Sequence, residues 1–324
     1  MTHTFHIPVL GLAFSIDSAL KVAQYGISSV MSIVDDELIE RMRRYYCGQY
    51  QISYHPIAKT EEDYRAKRIT AYLNLVQFVV NRQIEALKRQ PFTENSELTK
   101  YFQLLPDSHP SKPIYHAMEI ESNRAIKTEL QDLLINYLKA GDIDVNIMSK
   151  VDKMNYQDGN LLDQRYSDAS AALRGFANST LHSSLILSAG MNPHLYAYLA
   201  ELPAFFPNSE GLFDKKIVLK VSDFRSALIQ AKYLAKRGVW VSEFRIESGL
   251  NCGGHAFATD GFLLGPILQE FKEKKESLKT ELFEIYLEYW TSQERSLTTP
   301  PIIKYTVQGL SLIHISEAHE TVLD

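Results

Sequence analysis

The stretch "KKIVLKVSDFRSALIQAKYLAKRGVWVSEFRIE", residues 215–247, decides how this chain folds. It opens with an apolar run that suits a buried strand, continues with apolar residues at helical spacing, and ends in a second apolar run. Gly238 follows the basic end of the helical segment, where a glycine commonly ends a helix. Strand, helix and strand with short connections are typical of a parallel α/β fold.

The same alternation recurs along the chain and predicts seven strands, at least five of them followed by a helix. Eight such units close a TIM barrel, so we predict an α/β fold of the TIM (β/α)8 type, incomplete at about seven strands. An open doubly wound sheet is the alternative, but it more often has a glycine-rich turn after its first strand, and "GLAFSID" has one glycine. The predicted strands are 7–14, 27–34, 143–151, 183–190, 215–222, 239–247 and 301–309.

The alternation is interrupted between the second and third predicted strands. Residues 55–140 show amphipathic helical patterns and no strand pattern, which predicts a helical insertion. Its basic residues, such as Arg65, Lys67 and Arg68, are interpreted as a solvated face rather than a binding patch. The predicted helices of the insertion are 61–90, 96–105 and 116–141.

The last residues differ in character from those before them. "LSLIHISE", residues 310–317, matches the translation of a transposon-end adapter used in preparing sequencing libraries. We therefore expect residues 310–324 to be a non-native tail on a truncated fragment of a longer parent; a natural amphipathic tail is the alternative. Barrel units 1 and 2 then occupy residues 1–54, and units 3 to 7 occupy residues 141–309.

The composition is that of an ordinary globular protein. The chain has 324 residues, 45% hydrophobic and 23% charged, enough for one large domain or two ordinary ones. A net charge of -5 argues against nucleic acid or an anionic membrane as the main partner. Two cysteines are too few for a disulfide framework, the start lacks signal-peptide features, and no apolar run reaches the ~20 residues of a membrane span. These features predict a cytoplasmic protein acting on a small molecule, and they leave a homo-oligomer open.

The most glycine-rich turn is "SGLNCGGHAFATDG", residues 248–261, which follows the sixth predicted strand. In a barrel, the loops at the carboxyl ends of the strands carry the chemistry. Two glycines let a ligand approach the backbone, and a histidine titrates near neutral pH, so we predict His255 as a catalytic acid/base. A histidine that caps a turn is the alternative. Zinc usually takes three or four protein ligands, so Cys252 and His255 alone predict no metal site.

Polar residues interrupt otherwise apolar strands. Asn146 needs a partner where it is buried, so it either hydrogen-bonds within the barrel or faces a cofactor ring. Lys220 has to reach a cavity mouth, a charge partner or a ligand, and its structural alternative is an ion pair with Glu247. Glu243 and Arg245, on the next predicted strand, are interpreted as ion pairs within the barrel.

The order of these motifs resembles that of the flavin-dependent nitronate monooxygenases, also called 2-nitropropane dioxygenases, which are related to the flavin-dependent enoyl-acyl-carrier-protein reductases. "IPVLGLAF" is similar to the first strand and flavin loop of that family, and "VN" at Val145 to its third-strand pair. Lys220 loosely matches a polar residue of its fifth strand, and "GLNCGGH" its "G-x-E-A-G-G-H". "TVQG" is similar to the start of its phosphate loop. The Glu-Ala of the family is replaced here by Asn251 and Cys252, and the resemblance does not cover the insertion.

The resemblance implies an FMN-binding TIM barrel that acts as an oxidoreductase, in which the cofactor supplies the redox chemistry. It implies that His255 takes or delivers a proton beside the flavin. Since the second glycine of the phosphate loop is not found after Gly309, the resemblance implies weak FMN binding at best and a colourless or insoluble chain. The residues implied to frame the flavin ring are Gly11, Leu12, Asn146, Lys220, Gly253 and Gly254.

Two other functions remain open on the sequence. One is a flavin-independent TIM-barrel lyase or isomerase that uses Lys220 with His255. The other is a non-catalytic barrel acting as a binding module, whose helical insertion binds a partner. The fold alone decides between none of these, because TIM barrels support many chemistries.

Overall fold

The computed structural model describes residues 2–147, 152–157, 159–247, 264–295 and 299–308. Strands and helices alternate through these residues, as the sequence predicts. The strands are β1 (His6–Ile7), β2 (Ser28–Ser32), β3 (Ile143–Asn146), β4 (Tyr156–Gln157), β5 (Asn160–Leu161), β6 (Ser184–Leu187), β7 (Lys216–Val221), β8 (Val241–Glu247) and β9 (Lys304–Gln308). The α-helices are α1 (Leu12–Ser15), α2 (Ser18–Val22), α3 (Asp36–Gln49), α4 (Tyr64–Leu87), α5 (Glu97–Leu104), α6 (Lys112–Ile120), α7 (Arg124–Ile135), α8 (Asp168–Ala177), α9 (Pro193–Leu199), α10 (Phe224–Ala235) and α11 (Leu264–Ser292).

Seven of the strands form one curled parallel sheet in the order β1, β2, β3, β6, β7, β8, β9. Every neighbouring pair in this sheet is parallel, and each strand lies beside the next sheet strand along the chain. A doubly wound sheet reverses its strand order at a switch point, and this order shows no reversal. The α/β class and the parallel sheet are therefore confirmed, and the architecture is consistent with an incomplete barrel.

The two faces of the sheet differ because successive side chains of a strand point to opposite sides. The outer face packs under the helices in the main hydrophobic core, to which Met31, Leu219 and Phe244 belong. The inner face carries a small apolar cluster of Val30 and Val218 with Ile186 between them. The remaining inner positions are largely polar, and they are the positions that matter for the sites below.

The helices between β2 and β3 belong to two different cores. Helix α4 is part of the main core, with Tyr72 and Val76 fully buried there. Helices α5 to α7 share a second core, in which the rings of Phe102 and Tyr115 stack with centroids 5.8 Å apart. The predicted insertion consists of helices and the irregular segments that join them, and its first long helix packs as part of the layer that covers the sheet.

The basic residues at the start of α4 were expected to form a solvated face, and for two of them that expectation is wrong. Arg68 Nη1 lies 2.8 Å from Asp36 Oδ2, and only 6% of this arginine is exposed. Arg65 Nε lies 3.2 Å from Asp36 and 3.1 Å from Asp168. Lys67 is the exposed member of the group. The two arginines join α4 to the starts of α3 and α8.

Two predicted elements are interrupted by local backbone chemistry. The first predicted strand pairs only over β1, and the chain then turns at Gly11, which has a positive φ of 136°, and enters a helix at Leu12. The predicted helix at 116–141 is two helices, because the side chain of Asn123 accepts from the backbone N–H groups of Ala125 and Ile126 and begins α7. The hairpin of β4 and β5 was not predicted.

Lys112 caps the end of α5, and we expect its removal to destabilise the protein. Its Nζ donates to the carbonyl oxygens of Phe102, Gln103 and Leu105 at 3.0, 2.9 and 2.9 Å, and the residue is buried. A helix end leaves its last carbonyls without partners, so Lys112→Met should lower the free energy of unfolding by about 1–3 kcal/mol. Urea unfolding followed by circular dichroism measures this, and Lys272→Met, at an exposed site of α11, is the matched control. Equal losses in the two variants would contradict the capping role.

Candidate functional site

The carboxyl ends of the parallel strands meet at one edge of the sheet, and three of the predicted cofactor-binding residues lie there. Gly11 follows β1, Asn146 is the last residue of β3, and Lys220 is the penultimate residue of β7. β8 ends at Glu247 at the same edge, and the predicted catalytic loop follows it in the sequence. The fold therefore gathers residues that are far apart in sequence. His255, Gly253 and Gly254 lie outside the described residues.

Gly11 turns the chain from β1 into α1. Its φ of 136° lies in a region that side chains with a Cβ rarely adopt. In the described chain, the nearest atom to a Cβ placed on Gly11 is Cδ2 of Phe14, at 3.8 Å. The turn is held by the backbone N–H of Leu10, which donates to Ser15 Oγ at 2.8 Å. Among the described atoms, a Cβ at Gly11 would therefore make only ordinary van der Waals contact, and Leu12 is the first residue of α1.

Asn146 is half-buried on the inner side of β3. Its carbonyl accepts a hydrogen bond from the N–H of Ile33 at 3.1 Å, and it pairs in register with Ser32 and Ile186 of the adjacent strands. Two residues earlier on the same strand, Asp144 lines a cavity on the inner face. The strand periodicity of two therefore places both side chains on that face.

Lys220 forms an ion pair with Glu247, which was the predicted alternative to contact with a ligand. Its Nζ lies 2.6 Å from Glu247 Oε2, and the two side chains are 21% and 12% exposed. Lys220 is in register with Arg245, so the pair runs diagonally from β7 to the end of β8. The ion pair is partly buried at the same edge as Gly11 and Asn146. The carboxylate of Glu247 therefore contacts the lysine nitrogen directly.

The predicted ion pair of Glu243 and Arg245 is also confirmed. Arg245 is 2% exposed, and its Nε and Nη2 donate to Glu243 Oε1 at 3.1 and 2.9 Å. The same carboxylate oxygen accepts from Thr306 Oγ1 of β9 at 2.7 Å. This network ties β8 to β9 on the inner face.

A cavity of about 730 Å³ opens on the inner face near the amino ends of the strands, opposite the predicted site. Its wall includes Asp144 and Val218 from the middle of the sheet and His6 and Lys304 from the two edge strands. The sequence reasoning did not single out Asp144. The signal was present in "IDVN", where two polar residues spaced two apart in an apolar strand point to one face.

No protein-family model matches this chain, and no curated protein matches it at a significant level. Within the described ranges, no group of three or more His, Cys, Asp or Glu side chains is arranged to hold a metal ion. None of the described helices is both long enough and apolar enough to cross a membrane.

Proposed function

We propose that the protein is an FMN-dependent oxidoreductase of the nitronate monooxygenase-like type, built on a TIM-type barrel and acting on a small organic substrate in the cytoplasm. The observation that carries the proposal is the arrangement of Gly11, Asn146 and Lys220 at one edge of a parallel sheet whose strands follow chain order. In barrels of this kind the site is built by loops at the carboxyl ends of the strands.

The described residues at this edge fit the ring of a flavin. Gly11 has no Cβ, and no described atom lies nearer than 3.8 Å to the position that a Cβ would take, which suits the close approach of a flat ring to backbone. Asn146 carries an amide on the inner side of the sheet, where it can hydrogen-bond a polar ring edge. The Lys220–Glu247 pair presents a fixed dipole at the same mouth. When bound, FMN supplies the electron transfer that protein side chains cannot perform.

The proposed roles divide between ring binding and proton transfer. Gly11, Leu12, Asn146 and Lys220 frame the ring from the ends of β1, β3 and β7, and Gly253 and Gly254 complete the frame. His255 holds or moves a proton at the substrate atom next to the flavin, because an imidazole titrates near neutral pH. Its place in the sequence, eight residues after the end of β8, supports this role.

The geometry weighs against a lyase or isomerase that depends on Lys220. A lysine that forms a Schiff base needs a free amine directed at its substrate. The nitrogen of Lys220 is instead engaged by Glu247 at 2.6 Å. The ion pair therefore favours a positioning role for Lys220 over a nucleophilic one.

FMN titration of the purified chain, followed by quenching of flavin fluorescence, tests the proposal. We expect saturable binding with a dissociation constant of about 1 μM or higher, which corresponds to a binding free energy no more favourable than about -8 kcal/mol. Gly11→Ala should lower the affinity about tenfold, because alanine strains the positive φ and moves the loop from the ring. Gly48→Ala is the control, since a Cβ at that helical site has no heavy atom within 4 Å in the described chain. Equal FMN affinities of the two variants would contradict the proposal.

A further inference from the structure

The cavity on the inner face is separate from the proposed flavin site, which lies at the carboxyl ends of the strands. It lies between the amino ends of the strands and reaches from β1 to β9, the two edge strands of the sheet. Polar and apolar residues both line it, and Val218 and Ile302 contribute to its apolar wall. At about 730 Å³ its volume falls in the range of small-molecule sites.

Asp144 is the most unusual group in this wall. The residue is 8% exposed, and its Oδ1 accepts the backbone N–H of Ser184 at 2.8 Å. Among the described residues, no donor contacts its second carboxylate oxygen and no cation lies within ion-pair distance. Burial raises the pKa of Asp144 to about 7, against the opposing influence of Arg245. A desolvated carboxylate with an open oxygen favours a hydrogen-bond donor or a positive charge in the cavity.

The charged neighbours of Asp144 do not donate to its second carboxylate oxygen. Arg245 directs two of its nitrogens to Glu243, and Glu243 accepts a further bond from Thr306. Burial holds the pKa of His6, from β1, far below its usual range, so this imidazole is neutral. The exposed Asp142, two residues before Asp144, adds negative charge near it.

We propose that this cavity binds a small molecule carrying a primary amine, with the ammonium on Asp144 and the aliphatic part against Val218 and Ile302. An ammonium has three donors, which match the open oxygen of Asp144 and the hydroxyl oxygens of Ser28 and Ser184 in the same wall. The proposal does not depend on the flavin proposal, because the two sites lie at opposite ends of the strands.

The cations of the cavity do not favour an anion in place of the amine. Arg245, the buried cation of the wall, directs two nitrogens to Glu243. Lys216 and Lys304 begin β7 and β9, and both are exposed at the rim, where water solvates their ammonium groups. Asp144 has lost that solvation. A ligand that compensates the buried charge gains more than one that pairs with an exposed lysine.

Calorimetric titration and thermal unfolding at pH 8 with n-butylamine, and with sodium butyrate as the probe of opposite charge, test the proposal. We expect butylamine to bind saturably and to raise the melting temperature, since a ligand that binds only the folded state stabilises it. Butyrate should do neither. Asp144→Asn keeps the acceptor for Ser184 and should lower the butylamine affinity about tenfold or more.

Asp142→Asn is the matched control, because it removes an exposed carboxylate at the rim of the same cavity. It should keep the butylamine affinity within about threefold of the unchanged protein. The proposal is wrong if butyrate binds as tightly as butylamine, if Asp144→Asn binds butylamine as well as the unchanged protein, or if both variants lose affinity equally. It is also wrong if no saturable binding of butylamine occurs up to about 1 mM. Circular dichroism of Asp144→Asn confirms that the comparison is made on folded protein.

Discussion

Gly141→Ala is expected to lower the free energy of unfolding by about 3–5 kcal/mol, because a side chain at this position collides with backbone. A Cβ on Gly141 would lie 2.0 Å from the carbonyl oxygen of Ile27, 2.2 Å from its carbonyl carbon and 2.6 Å from the nitrogen of Ser28. These atoms belong to the peptide that begins β2, and a flexible side chain cannot move aside for them.

The collision would act on the pairing of β2 with β3. The N–H of Gly141 donates to the carbonyl of Ala23 at 2.9 Å, and the N–H of Ser29 donates to the carbonyl of Asp142 at 3.0 Å. Relief of the contact requires these two chain segments to separate, which breaks the first hydrogen bonds of the ladder. The effect should therefore reach Asn146, which lies five residues after Gly141 and pairs with the same neighbouring strand.

Urea unfolding followed by circular dichroism measures the loss in Gly141→Ala. Gly48→Ala is the control, because the site lies in helix α3 and a Cβ there has open space. Alanine is the better helix former, so this variant should gain up to about 1 kcal/mol. A midpoint for Gly141→Ala that equals that of the unchanged protein would show that β2 and β3 do not approach as closely as described.

The sequence predicts the two strands around helix α10 best. The predicted strands 215–222 and 239–247 agree with β7 and β8 within one or two residues at each end, since their apolar residues are bounded by turn residues and leave few alternatives. The first strand was predicted too long. The positive φ at Gly11 and the helix that begins at Leu12 depend on packing that the run "IPVLGLAF" does not reveal.

Some interactions of the charged residues could be predicted from the sequence and others could not. The pair of Lys220 and Glu247 could be anticipated because both residues lie near the ends of adjacent predicted strands. The partners of Arg65 are Asp36 and Asp168, which are distant in sequence, so its ion pairs could not be derived from local pattern. The desolvation of Asp144 likewise follows from the curl of the sheet around it, which composition and periodicity do not encode.

Asp144→Asn is expected to stabilise the protein at neutral and alkaline pH by as much as about 4 kcal/mol. The pKa of Asp144 is raised from its usual 3.8 to about 7, chiefly by burial, with Asp142 and Glu243 also raising it and Arg245 and the N–H of Ser184 opposing the shift. The folded state therefore holds a proton over about three pH units in which the unfolded state has released it. Each such unit is worth about 1.4 kcal/mol.

The sign of the effect follows from which state binds more protons. Between pH 4 and pH 7 the folded protein does, so the contribution of Asp144 to stability is complete below about pH 4 and is lost as the pH rises to about 7. Asparagine does not titrate and still accepts the N–H of Ser184. The two proteins should be equally stable near pH 4 and should differ by a constant amount above about pH 7.

Urea unfolding at pH 4, 5, 6, 7 and 8 traces this difference, with Asp142→Asn as the control for removal of an exposed carboxylate near the same strand. A difference that does not change with pH would mean that Asp144 is solvated in the folded protein, and lower stability of Asp144→Asn at pH 8 would mean that its charge is already paired. The pH series also bears on the proposed amine site in the cavity, because an ammonium bound on Asp144 compensates the buried charge. Saturating n-butylamine should therefore narrow the difference in stability at pH 8, because it stabilises the protein that keeps the carboxylate more than it stabilises Asp144→Asn.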